Sequence, residues 1–218
     1  MKFFFMKIWK KFPYYFRKKI DIIRRRSIWK KNHAIFVHVP KAAGVSVNIA
    51  IYGKPLGHFY ASDIKRICPK TFNNIFKFSV VRHPIDRLYS AYTFSKNGGT
   101  DIMGMHKPNY YINHPDFKTF ERFVNNWLTR KELAKLDGIF CPQYLYLFDE
   151  EDQLLVDKVY KLEKIENYYD EISQNIKKPF SLGHLNVSDK ESLHITGELK
   201  EAIYQLYRKD FELLGYFI

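Results

Sequence analysis

Cysteine is scarce in this chain: Cys68 and Cys141 are the only two in 218 residues. They have no metal-ligand spacing and can form at most a single bridge, so a disulfide framework is excluded and free thiols in a reducing compartment are expected. No stretch reaches the roughly eighteen uncharged residues of a spanning helix, and the N-terminal apolar run is too short and interrupted for a usual signal peptide. Gly-x-x-x-x-Gly-Lys-Ser/Thr is missing, which disfavours a nucleotide kinase or GTPase loop. Internal repeats, low-complexity linkers and recognised nucleic-acid modules are absent as well.

What is present is a hydrophobic content of 46% over 218 residues, enough to bury the core of one α/β domain. The 16 Tyr and 19 Phe supply large core side chains. Charge is uneven. Residues 1–31 hold 12 Lys and Arg against the single Asp21, whereas the remainder carries 24 basic and 22 acidic residues. The basic character therefore belongs to an N-terminal arm, residues 1–32, and the domain to residues 33–218. The arm mixes aromatic residues with cations, from Met1 to Phe16 and on through Arg24-Arg-Arg26. That mixture suits peripheral attachment to a membrane surface, where each cation near an anionic leaflet adds about 1 kcal/mol. The alternative is a solvated basic tail. Nucleic acid is not favoured as a partner.

Two strand-to-helix junctions carry the chemistry. Ile35 to Val39 is a β-branched and aromatic run ended by Pro40, and Val45 to Ile51 has the composition of a buried helix. Between them, Lys41-Ala42-Ala43-Gly44-Val45-Ser46 offers small residues whose amides can approach an anion at a helix N-terminus, with a lysine charge and a serine hydroxyl added. Phe76 to Val81 is a second strand, followed by Arg82 and by Pro84 in a first helical turn. Arg82 can aim its guanidinium past the sheet edge, and Ser90 lies about two turns into the helix. Two anion sockets imply a ligand with two phosphate-like groups. The competing readings are an ordinary βα turn with a surface lysine, a solvated arginine, and a helix-surface serine.

The pair HVPKAAGVS and VVRHPIDRLYSAY resembles the donor-binding signatures of the carbohydrate sulfotransferases that use 3′-phosphoadenosine 5′-phosphosulfate (PAPS), closest in form to the heparan 2-O-sulfotransferase-like and bacterial family 2 branch. The resemblance runs from about Ala34 to Tyr216 through Phe140-Cys-Pro-Gln143, Leu162-Glu-Lys-Ile-Glu-Asn167, His184-Leu-Asn-Val-Ser188 and the Leu206–Tyr216 ending. It implies a P-loop-NTPase-like three-layer α/β fold with a central, mainly parallel sheet flanked by helices. It also implies PAPS as co-substrate without a metal, Lys41 to Ser46 around the 5′-phosphosulfate, and Arg82 with Ser90 at the 3′-phosphate. His58, in Gly57-His-Phe-Tyr, resembles the segment supplying the catalytic histidine in these enzymes. A neutral imidazole suits a general base, although an unselected loop histidine is only a polar surface residue. The acceptor implied is a carbohydrate or glycolipid hydroxyl. Golgi relatives carry a spanning anchor, so its absence implies a bacterial-type enzyme in the cytoplasm, with peripheral attachment to the inner membrane face.

The chain also departs from the pattern. Ala42 and Val45 stand where threonine is frequent, His83 where Asn or Asp follows the arginine, and Phe140 and Cys141 where aromatic and basic residues precede Pro-Gln. Beyond the motifs, Gly98-Gly99 opens a loop through His106 to His114 that could wall the acceptor or simply face solvent. Asn186 and Ser188 lie in a loop that closes near the donor in relatives. Amphipathic helices are expected over Phe117–Leu136 and Glu198–Leu213, a strand over Asp157–Leu162, and a helix near Tyr168 to which Glu166 ties it. Two other classes compete: a small-molecule kinase needing ATP and Mg²⁺, and a non-catalytic membrane or nucleic-acid adaptor on the same fold.

Overall fold

The computed structural model describes residues 13–100, 104–105, 107–183 and 195–218. Three strands, β1 (Ala34–Val37), β2 (Phe76–Val81) and β3 (Lys158–Lys161), form a parallel sheet in the order β1-β2-β3. Their register pairs Phe36 with Phe78 and Ser79 with Val159. Period-two alternation then gives the sheet two apolar faces. Ile35, Val37 and Val81 join one core cluster, while Ala34, Phe36, Phe78, Val80 and Tyr160 join another. Helices cover both, which makes the three-layer α/β architecture. On the first face lie α1 (Tyr14–Lys31), α3 (Ala61–Ile67) and α4 (Pro69–Asn74), and on the second α2 (Gly44–Tyr52).

Helix α1 occupies much of the expected arm and packs on the domain. Its buried stripe is narrow, only Ile22 and Trp29 two turns apart, so polar contacts complete the docking. Lys18 pairs with Asp63 of α3, and Arg25 donates to the Leu56 carbonyl. The rest of its surface stays open, with Tyr14, Tyr15 and Ile23 about half exposed or more. Residues 1–12 lie outside the described part. Helix α2 is less buried than its composition predicts: Ile49 is half exposed, because only one side of the helix faces the sheet.

A further core lies beyond the sheet. Helix α5 (Pro84–Lys96) packs on the C-terminal helix (Gly197–Leu214) through Leu88, Tyr92, Ile203 and Phe211. An aromatic cluster of Phe117, Phe123, Trp127 and Phe140 adjoins them. The single helix expected over Phe117–Leu136 is not formed. The run breaks into short 3₁₀ and α turns, with a π turn over Phe123–Trp127. Seating rings as large as Phe123 and Trp127 against Phe140 overrides a regular helical pitch. The other expected elements form within a residue or two of their predicted ends.

Candidate active site

Parallel strands end on the same sheet edge, so the three loops that leave β1, β2 and β3 converge there. They wall a cleft of about 980 Å³. The loop after β1 contributes Lys41, Ala43, Gly44, Val45 and Ser46, and the segment after β2 contributes Arg82 and Ser90. Lys164 and Glu166 come from the turn after β3. Lys41 and Arg82 thus face one space. Ala42 does not, being wholly buried in the core.

The first loop achieves its shape at a conformational cost. Lys41 (φ 67°) and Ala43 (φ 56°) both adopt the left-handed region, which disfavours side-chain-bearing residues by roughly 1–2 kcal/mol each. Left-handed residues in such a turn direct successive amides inward as an anion-binding concavity, here opening onto the N-terminus of α2. Gly44 is required for a steric reason. A Cβ at this position would lie 1.8 Å from Cδ2 of His38.

His38, which the sequence reading did not single out, organises the neighbouring wall. It is 5% exposed, and Asn48 Nδ2 lies 3.2 Å from its Nδ1 while also donating to the Gly44 carbonyl at 2.7 Å. An amide NH₂ can only donate, so His38 Nδ1 accepts and the hydrogen of the neutral ring sits on Nε2. The His58 ring lies against it, ring centres 4.0 Å apart and tilted by 40°, with His58 Nδ1 3.2 Å from the His38 carbonyl oxygen. That oxygen only accepts. His58 therefore carries its hydrogen on Nδ1 and leaves the Nε2 lone pair available as a proton acceptor. Although His58 is open to the cleft, the surrounding protein holds its pKa below the ordinary histidine value, against weaker upward pulls from the His38 carbonyl and Asp137. Burial, and then the neighbouring His58, depress His38 further. Both rings are neutral at pH 7.

Lys41 Nζ sits 4.1 Å from the centre of the Phe94 ring. Burial, and then the nearby Arg82 charge, bring its pKa down to about 8. Among the described residues no carboxylate forms an ion pair with Lys41 or Arg82. Asp86, Asp137, Glu163 and Glu166 line the same cleft without pairing with either cation, and two unpaired cations facing one space favour an anion there.

The second junction is held by distant side chains. Gln143 clasps the Arg82 backbone, accepting from its N–H at 3.0 Å and donating to its carbonyl at 2.8 Å. Buried Asp210, on the C-terminal helix, accepts in turn from the N–H groups of Gln143 and Tyr144. Burial raises the Asp210 carboxyl pKa against the pull of Arg87. Glu163 accepts from His83 N–H at 2.6 Å and from the Tyr216 hydroxyl at 3.1 Å. The tie between the post-β3 segment and its surroundings is therefore Glu163. Glu166, expected to tie β3 to the helix near Tyr168, is instead exposed on the cleft. His83 donates through Nε2 to the Phe217 carbonyl.

His114 is not a cleft residue: its Nδ1 accepts from Asp116 N–H and caps a short 3₁₀ turn. Gly104 and Met105 do reach the cleft. His106, Asn186 and Ser188 lie outside the described residues. Phe140 and Cys141 are buried.

The family model described as the sulfotransferase family matches residues 26–217, and the chain belongs to that family. It is a transferase by class, built for sulfuryl transfer. No curated protein matches the sequence.

Proposed function

We propose that the protein transfers a sulfuryl group from PAPS to a carbohydrate hydroxyl, with His58 as general base. The observation that carries this reading is the convergence of Lys41 and Arg82, unpaired, on one cleft that is also lined by a histidine with a free Nε2. The distribution of charge fits a donor with anionic groups at both ends. The concave loop and Lys41 suit the 5′-phosphosulfate, and Arg82 with Ser90 suits the 3′-phosphate. In the step itself the acceptor oxygen bonds to sulfur as the bond from sulfur to the 5′-phosphate oxygen breaks. The acceptor proton passes to His58 Nε2, and the leaving oxygen keeps the electron pair, stabilised by Lys41 and the loop amides. None of these roles calls for a metal.

Titration with 3′-phosphoadenosine 5′-phosphate tests the reading. Saturable binding that is lost in Arg82→Ala is the expected result. A preference for ATP with Mg²⁺ would favour a kinase, and no nucleotide binding would favour an adaptor. His58→Ala is expected to keep donor binding and lose about a hundred- to ten-thousand-fold in turnover, and unchanged turnover would remove His58 from the mechanism. Lys41→Ala is expected to lower turnover more than donor affinity.

We further propose that the chain works at the cytoplasmic face of the cell membrane, on a glycan or glycolipid precursor. The exposed Tyr14, Tyr15 and Ile23 among the α1 cations support this. No helix among the described residues is long and apolar enough to cross a membrane. Co-sedimentation with anionic but not zwitterionic vesicles is expected, and equal partitioning would count against surface attachment.

A further inference from the structure

A second cavity, of about 390 Å³, lies beside His58 and shares His58, Pro40, Asp137 and Ile139 with the donor cleft. The same imidazole therefore borders both spaces. A base must lie within hydrogen-bond reach of the incoming hydroxyl, and that hydroxyl must reach the donor sulfur, so the acceptor has to adjoin both His58 and the donor cleft. The second cavity meets that condition, and its size lies within the range of small-ligand pockets.

Its lining discriminates among acceptors. Tyr60 and Tyr146, with ring centres 4.7 Å apart, line it together with the exposed Tyr14 of α1, and Lys18 Nζ lies 4.6 Å over the Tyr60 ring. The Tyr146 hydroxyl is occupied, donating to the Gly138 carbonyl. Lys18, the cation on this cavity, is ion-paired with Asp63, which Arg66 also binds at 2.6 Å. Asp137 has no ion-pair partner among the described residues, and the one hydrogen bond its side chain accepts is from Ile139 N–H at 3.3 Å. A carboxylate without a counter-ion accepts hydrogen bonds from sugar hydroxyls and repels a second anion.

Resting on the sulfotransferase reading, we infer that this cavity is the acceptor subsite and takes an uncharged sugar ring, with Asp137 orienting its hydroxyls toward His58. Uronate-bearing or already sulfated rings are excluded there by the like charge of Asp137. In this pocket the acceptor packs beside the tyrosine side chains, while Lys41 and Arg82 of the neighbouring cleft are left to the donor.

The test is sulfate transfer from labelled PAPS to alkyl glycosides of neutral hexoses and to uronate-containing oligosaccharides. Neutral glycosides are expected to show kcat/KM at least about tenfold higher. Asp137→Asn should raise KM for them several-fold and narrow that preference, with no fall in affinity for 3′-phosphoadenosine 5′-phosphate. Tyr14→Ala, which touches this cavity and not the donor cleft, should raise the same KM without altering donor affinity. Equal or better use of uronate-containing acceptors, or failure to modify any neutral glycoside by protein that binds the donor, would overturn the assignment while leaving the donor site standing. Absence of donor binding in the parent protein would overturn both readings.

Discussion

The two strand-to-helix junctions solve one problem in different ways. After β1, the loop is shaped from within: Lys41 and Ala43 are held at positive φ, Gly44 makes room for His38, and neighbours within a few residues account for the geometry. After β2, no residue from Arg82 to Pro84 has a positive φ, and the segment is held from outside by Gln143 and Glu163, 61 and 80 positions away. A strained loop of small residues brings amides close to a ligand. A clasped, unstrained segment instead fixes where a long cationic side chain begins. The first suits an anion bound tightly by main chain, and the second an anion gripped at arm's length.

That contrast is most directly broken at Gln143. Gln143→Ala leaves the Arg82 N–H and carbonyl without partners, at about 1–3 kcal/mol for each group that stays buried. Denaturant unfolding should show the loss, and affinity for 3′-phosphoadenosine 5′-phosphate should fall with it. Undiminished affinity in the folded variant would mean that Arg82 needs no external brace. Gly44→Ala attacks the first junction. Forcing the His38 ring aside should cost about 1–3 kcal/mol and reduce turnover, since His38 also anchors His58. A stability change within about 0.5 kcal/mol would show that the ring swings away freely.

The smallest effect expected sharpens the comparison by pH. Lys41, with its pKa near 8, loses its proton first in the free protein, and an anionic donor favours the charged form. Donor affinity should therefore decline as pH rises through about 8, by about tenfold at pH 9, with proton uptake on binding measurable by calorimetry in buffers of different ionisation enthalpy. Lys41→Arg should flatten this decline. A decline that persists in that variant would assign it to another group.

Much of the donor cleft was legible because its signals are local. An apolar run, a proline, a few small residues and a helix-forming stretch determine each other's conformation within a dozen positions, and both sockets were read from them. The braces were not. Gln143 belongs to the motif Phe140-Cys-Pro-Gln143, but its partner Arg82 lies 61 positions away and no local pattern links them. Asp210 did leave a trace: it falls on the buried stripe of Ile203, Tyr207 and Phe211, and an acid on an apolar helix face must find donors. His38 is buried between Val37 and Val39 at the end of an apolar run, and nothing in that run marks it as a site residue. Phe117–Leu136 misled because helical spacing of aromatics does not reveal the bulk of the rings they must meet.

By itself, then, the sequence determined that two apolar strands each run into a helix with a cation at the junction, because backbone preference and side-chain periodicity act over short distances. Only the tertiary structure decided that Lys41 and Arg82 share a cleft, that a carbonyl from His38 sets the His58 tautomer, and that Asp137 borders the second cavity. Those outcomes depend on which chain ends meet at the sheet edge, a matter of packing between segments far apart in the chain.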